Sequence, residues 1–154
     1  MNLNTIKDIA SELFLALKKQ EMIEPLTERY PEIDINDAYQ ISRKFLSLRE
    51  EEGEKIIGKK IGVTSPVVQE MLGVNQPDFG FLTHSMQVQN KSNFSIDASL
   101  IQPRAEAEIA FILKDDLHGP GITKDDVISA TEKIVPCFEI VDSRIESWNI
   151  KIQD

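Results

Sequence analysis

Ala105-Glu-Ala-Glu-Ile-Ala-Phe-Ile-Leu113 alternates from end to end, with Ala105, Ala107, Ile109, Phe111 and Leu113 on one parity and Glu106, Glu108, Ala110 and Ile112 on the other. A period of two is that of a β-strand, so the stretch predicts a strand with one apolar face and a second face carrying two glutamates beside apolar neighbours. Downstream, His118-Gly-Pro-Gly121 reads as a turn, and Thr123, with Asp126 three positions on, caps a helix whose buried side is Val127, Ala130 and Ile134. Pro136 is expected to stop that helix, and residues 137–141 to form a second strand. Trp148, Ile150 and Ile152 alternate as a further strand would at its start.

Upstream the pattern is helical. Ile6, Ile9, Ala10, Leu13, Phe14 and Leu17 recur at helical spacing, with Asn4 or Thr5 as the expected N-cap. Ala38, Ile41, Phe45, Leu46 and Leu48 form a second such stripe behind the acids Asp34 and Asp37, which suit the positive end of a helix, and Gly53 is expected to end it. At Lys55 the period changes. Ile57, Lys59, Ile61 and Val63 hold most of the apolar bulk on one parity, while Ile56, Gly58, Lys60, Gly62 and Thr64 leave the other nearly bare. Ser65 and Pro66 make an N-cap and first turn for a short helix closed by Gly73, and residues 75–80 read as a loop. Helices in front, with mixed strands and short helices behind, give an α+β class: a helical N-terminal subdomain over residues 1–54 and a β-rich domain beginning at 55 and running to 154.

The chain has 154 residues, 41% hydrophobic and 28% charged. That suits one globular unit burying about two-thirds of its unfolded surface. Seventeen basic against 26 acidic residues leave a net charge of -9, which repels phosphate and anionic lipid, so neither nucleic acid nor membrane is an expected partner. No apolar run approaches the ~20 residues of a spanning helix. The first residues lack the pattern of a signal peptide, and the single Cys137 has no disulfide partner within the chain. A cytoplasmic setting is the expectation.

Glu106 and Glu108, two apart on a strand, leave the same face with Cα atoms roughly 6–7 Å apart. Carboxylates this close repel unless a cation lies between them or one is protonated, and oxygen-only donors favour a hard ion, Mg²⁺ or Mn²⁺, over zinc. The plainer reading of such a pair is a solvent-facing strand. Glu139 weighs against it, being in the middle of a predicted strand where an unpaired carboxylate is costly. Lys60, between Gly58 and Gly62, stands where a small anionic ligand has room to approach; the alternative is a surface lysine. Asp78, between Pro77 and Phe79, is a candidate loop acid or a purely structural turn residue. His84 and His118 have no partner at ligand spacing. Cys137 reads as core, Arg104 and Arg144 as counter-charges, and the acidic run Glu50, Glu51, Glu52 and Glu54 as a solvated helix end.

Four segments carry a resemblance over the whole chain: Gly58-Lys-Lys-Ile-Gly-Val-Thr-Ser65, Leu72-Gly-Val-Asn-Gln-Pro-Asp-Phe-Gly80, Ile101-Gln-Pro-Arg-Ala-Glu-Ala-Glu-Ile-Ala-Phe111 and Pro136-Cys-Phe-Glu-Ile-Val-Asp-Ser-Arg-Ile145. Together they resemble the 2-oxopent-4-enoate (2-hydroxypenta-2,4-dienoate) hydratases of the fumarylacetoacetate hydrolase superfamily, which act in meta-cleavage degradation of aromatic compounds. The resemblance implies a mixed β-sandwich or roll and a homo-oligomer, with a complex with the sister decarboxylase as a further partner. It implies that Glu106, Glu108 and Glu139 bind a divalent metal, Mg²⁺ or Mn²⁺, that Lys60 lies at the substrate and that Asp78 borders the pocket. The implied reaction adds water to 2-hydroxypenta-2,4-dienoate, a small 2-oxo acid in its dienol form, to give 4-hydroxy-2-oxopentanoate. Family members continue past the segment matching residues 151–154, so the chain is expected to be an N-terminal portion, its sandwich incomplete. The nearest rival is the decarboxylase acting on 2-oxo-3-hexenedioate (4-oxalocrotonate), against which the Asn-Gln-Pro-Asp-Phe-Gly loop at 75–80 argues. A catalytically inert fragment is the third reading.

Overall fold

In the computed structural model, which describes residues 1–96 and 99–154, the helical stripes become α1 (Leu3–Lys19) and α3 (Ile35–Glu51), with a single turn of helix between them, α2 (Leu26–Arg29). Strands β1 (Ile56–Gly62) and β2 (Asp78–Thr83) flank α4 (Pro66–Leu72), and β3 (Arg104–Leu113) and β4 (Thr131–Val141) flank α5 (Lys124–Ala130). Contacts divide the chain into two units, residues 1–102 with 143–154, and residues 103–142. No helix among the described residues is long and apolar enough to cross a membrane.

The core of the first unit is the meeting of the two stripes. Ile6, Ile9, Ala10 and Leu13 of α1 pack with Leu26, Ile33, Ile41 and Ile145, all buried. The isoleucines and leucines among them each contribute about 1.5–3 kcal/mol on burial. Asn2, two residues ahead of the expected cap, is the one that caps α1, its carboxamide oxygen accepting from the amides of Asn4 and Thr5 at 3.0 Å. Asp34 and Asp37 form a reciprocal capping box on α3, and Asp37 also accepts from the Met1 ammonium at 2.8 Å. Ile145 reaches this core because residues 143–146 run beside Ile23: the Ile23 amide donates to Arg144 O at 2.7 Å and the Glu146 amide donates to Ile23 O at 3.0 Å. The Gln102 side chain ties the same segment, donating to the carbonyls of Ser143 and Ile145. The alternation of Trp148, Ile150 and Ile152 does not become a strand; a short 3₁₀ turn (Glu146–Trp148) stands there, and the Trp148 indole donates to Gln102 O.

β1 and β2 pair antiparallel, and β2 begins at Asp78, so the second half of the expected 75–80 loop is strand. Phe79 stacks on Tyr39 of α3 at 4.6 Å, with Phe81 edge-on to it. The end of β2 is held by charge. Arg49, 7% exposed, makes a two-pronged pair with Glu54 at 3.0 and 2.8 Å, and the hydroxyls of Thr83 and Ser85 donate to the same carboxylate. One member of the acidic run is therefore a half-buried structural ion rather than solvated surface.

In the second unit, ten residues of β3 pair antiparallel with β4. Thr123 and Asp126 make the expected capping box on α5, but the helix ends at Ala130, and Ile134 and Pro136 belong to β4, opposite Phe111 and Ile109. Cross-strand pairing overrides the helical spacing here; Val135, like Ile134, is β-branched and favours the extended chain. Pro136 is tolerated because β4 pairs only with β3 among the described residues.

The Arg49 pair and the two hydroxyls hold the Glu54 carboxyl at about 2 against burial, which pushes it the other way; the ordinary value is 4.5. A depressed folded-state pKa stabilises above the unfolded value and is lost on acidification. Glu54→Gln is expected to cost about 2 kcal/mol at neutral pH in urea unfolding, since it leaves a charged donor short of its acceptor. The difference from the parent chain is expected to shrink as pH falls from about 4.5 to about 2. A difference constant over that window refutes the assignment.

Candidate metal centre and the Lys60 hairpin

The acidic face of β3 is built by register. Glu106 stands directly opposite Glu139 and Glu108 opposite Cys137, so the period of two puts all four on one face of the two-stranded sheet. Oxygens of Glu106, Glu108 and Glu139, one from each, lie within 4.8 Å of one another. Glu106 and Glu108 are exposed and Glu139 half-buried. Cys137 is exposed, against the expectation of a core position. The opposite face carries the apolar parity, including Ile109, Phe111, Ile134 and Phe138, the last 79% exposed.

Oxygen ligands bind Mg²⁺ at about 2.0–2.1 Å and Ca²⁺ at about 2.3–2.6 Å, so oxygens sharing one ion stand no more than about 4–5 Å apart. Lying within 4.8 Å, the three oxygens meet the limit for calcium; magnesium, whose ligand oxygens stand at most about 4.2 Å apart, asks the carboxylates to close slightly. The donor set is all carboxylate, the chemistry of a hard divalent ion rather than of zinc or copper.

Lys60 and Asp78 come together in the first unit. β1 and β2 place Lys60 opposite Gly80 and Gly62 opposite Asp78, so the lysine, the aspartate and the two glycines share one face of that hairpin. Lys60 and Asp78 are half-buried, whereas Lys59 and Ile61, on the other face, are exposed. One oxygen of Asp78, Oδ1, is buried with no hydrogen-bond partner among the described residues. Beyond Gly62 the chain turns through Val63 at φ 53, a left-handed conformation that a β-branched residue rarely adopts, and the Val63 carbonyl accepts from Gln69 at 2.9 Å. Nothing in the local sequence announces that strain. His84 accepts from the Lys55 amide at Nδ1, a structural role, and Arg144 lies over the Phe45 ring at 4.9 Å.

No family model matches the chain. Curated relatives do. It is 57% identical over 150 residues to the 2-hydroxyhexa-2,4-dienoate hydratase of Comamonas testosteroni, covering 97% of this chain and 57% of that one. It is 54% identical over 154 residues to a 2-hydroxypent-2,4-dienoate hydratase of Pseudomonas putida, covering 100% of this chain and 69% of the relative. The 2-keto-4-pentenoate hydratase of Paraburkholderia phymatum is 44% identical over 151 residues, 98% of this chain and 57% of its own. The chain thus spans about 57–69% of the length of these relatives. Among solved structures, 4-oxalocrotonate decarboxylase from Pseudomonas putida G7, complexed with magnesium and adipate, superposes with a TM-score of 0.93 at 32% identity, over 99% of this chain and 58% of that one. A second form of that decarboxylase, with calcium and acetate, gives 0.89 at 33% identity, over 95% of this chain and 56% of that one.

The crowded acids predict a metal-linked stability. Mg²⁺ at about 100 times its Kd is expected to stabilise the chain by about 2.7 kcal/mol, reversed by EDTA. Glu106→Gln, by removing one of two like charges facing each other across the ladder, is expected to stabilise the metal-free chain by about 0.5 kcal/mol. The same change is expected to weaken Mg²⁺ at least about tenfold, because affinity follows ligand charge count. Thermal unfolding with and without Mg²⁺ reads all three, and a parent chain indifferent to Mg²⁺ and Mn²⁺ removes the cluster as an ion site.

Proposed function

Because the chain belongs to the 2-hydroxypenta-2,4-dienoate (2-keto-4-pentenoate) hydratase family, within the fumarylacetoacetate hydrolase superfamily, we propose that it is a hydro-lyase domain adding water to 2-hydroxypenta-2,4-dienoate to give 4-hydroxy-2-oxopentanoate. The observation that carries this reading is the set of three carboxylate oxygens within 4.8 Å, the donor set a divalent ion needs to receive a 2-oxo acid. Glu106, Glu108 and Glu139 hold the ion, Mg²⁺ or Mn²⁺, which supplies Lewis-acid stabilisation of the substrate's enolate character. Magnesium in the similar decarboxylase structure supports the choice of a hard ion.

The remaining work falls to Lys60 and Asp78. Lys60 carries an ammonium on a half-buried strand face flanked by glycines, where it holds the substrate's anionic end or helps move the proton that passes from the dienol oxygen to carbon. Asp78 takes the acid–base part at the water, its Oδ1 free of any protein donor among the described residues. By function the chain divides at residue 54, ahead of the first residue given a chemical role, into a helical subdomain and the start of a catalytic domain. The family's fold is a mixed β-sandwich or roll, and the whole protein is a cytoplasmic homo-oligomer able to associate with the sister decarboxylase.

A second reading is favoured by the 0.93 superposition: decarboxylation of 4-oxalocrotonate. The hydratase reading stands above it because the relatives at 44–57% identity carry hydratase names, against 32% for the decarboxylase. Offering each substrate to the chain with Mg²⁺ and following dienol absorbance and released CO₂ separates them. Loss of the dienol signal without CO₂ is expected, with Lys60→Met lowering kcat about 10²-fold or more. Release of CO₂ from the hexenedioate, with the pentadienoate untouched, reverses the order of the two readings, and a chain inert to both is the fragment.

A further inference from the structure

The register of β1 and β2 sets a glycine opposite each of the two candidate acid–base groups, and the two gaps differ. A Cβ at Gly62 would stand 2.4 Å from Asp78 Oδ1 and 3.4 Å from its Cγ, closer than a real side-chain carbon tolerates. The Asp78 carboxylate therefore occupies the space a side chain at position 62 would fill. Opposite Lys60, a Cβ at Gly80 would meet Cγ at 3.2 Å and Cδ at 3.5 Å, a tight fit that moves the stem by tenths of an ångström. At Gly58, on the same strand and face, a Cβ would meet only Leu82, in ordinary contact at 3.8 Å.

We infer that Gly62 is a positioning residue for Asp78: by lacking a side chain it lets the carboxylate lie against β1 with Oδ1 buried and without a protein donor, ready to accept from a hydroxyl or water brought by the substrate. This rests on the acid–base role proposed for Asp78. The physical argument is that a buried acceptor without a partner is a cost the fold carries, and a bound small molecule that donates to it removes that cost. The fold has two ordinary ways to avoid the cost, a donor nearby or a side chain at 62 that pushes the carboxylate into water, and it uses neither. Gly62 is not in the left-handed region, so alanine fits its backbone. The group in the way is the far end of a flexible side chain, so the carboxylate yields before the strand does.

The test uses Gly62→Ala, Gly58→Ala and Asp78→Asn in the 154-residue chain with Mg²⁺ and 2-hydroxypenta-2,4-dienoate. Gly62→Ala is expected to lower kcat about 10²-fold with KM little changed, the cost of an ångström-scale displacement of a reacting group. In the Asp78→Asn background it is expected to cost nothing further. The carboxyl ¹³C resonance of Asp78, which reads the group without turnover, is expected to move toward that of a solvent-exposed aspartate in Gly62→Ala and to stay in place in Gly58→Ala. An unmoved resonance in Gly62→Ala overturns the inference, as does a resonance that moves equally in Gly58→Ala. Failure of Gly62→Ala to fold also overturns it, because the backbone rather than the carboxylate would then have given way. Full turnover by Asp78→Asn sinks the functional role of Asp78 instead, and the resonance still decides the geometry.

Discussion

Like charges gathered on one strand face are the constraint on which the second unit turns. Antiparallel pairing sets Glu106 across from Glu139, and the period of two sets Glu108 beside them, so three carboxylate oxygens fall within 4.8 Å. Repulsion between facing acids works against the ladder that creates the arrangement. Ten paired residues, with α5 capped by Thr123 and Asp126 in the connection, supply the backbone bonds that hold the acids together. Groups held by a ladder rather than by loops are set in place before a ligand arrives, as an ion site with strict ligand distances requires.

The first unit shows two carboxylates treated in opposite ways. Glu54 receives Arg49 through two hydrogen bonds and two hydroxyls besides, and that full set of donors fastens the end of β2 to α3. Asp78, at the other end of the same strand, is left with a buried oxygen that no described residue serves. A carboxylate with its full set of donors stabilises a fold; a buried oxygen without one stores a demand for a donor. The Tyr39–Phe79 stack lies between them, pinning the opposite face of the hairpin to α3, so that the face with Lys60, Asp78 and the glycines keeps its register.

Much of this was legible residue by residue. The helical stripes at 6–17 and 38–48, the strand at Ile56–Gly62, the Ser65-Pro66 start and Gly73 stop of α4, and the shared face of Glu106 and Glu108 follow from spacing and cap chemistry alone. Other features were out of reach because they depend on partners distant in sequence. Ile134 and Pro136 read as the end of a helix until β3 is beside them, when the ladder outweighs local spacing. Glu54 reads as one of an acidic run until Arg49, Thr83 and Ser85 surround it. Asn2 displaces Asn4 and Thr5 as the cap because α1 begins at the exposed Leu3, a turn ahead of Ile6, the first residue of the buried stripe.

By itself, then, the chain's order of residues determined which groups share a face, since periodicity is a local property of backbone geometry: Glu106 with Glu108, Lys60 with Gly58 and Gly62. Which faces meet was decided only in three dimensions, because register is a choice among many pairings that local sequence leaves nearly equal in energy. That choice brought Glu139 to Glu106 and Gly62 to Asp78, turning two strand motifs and a turn acid into one cluster of three carboxylates and one carboxylate seated opposite a glycine.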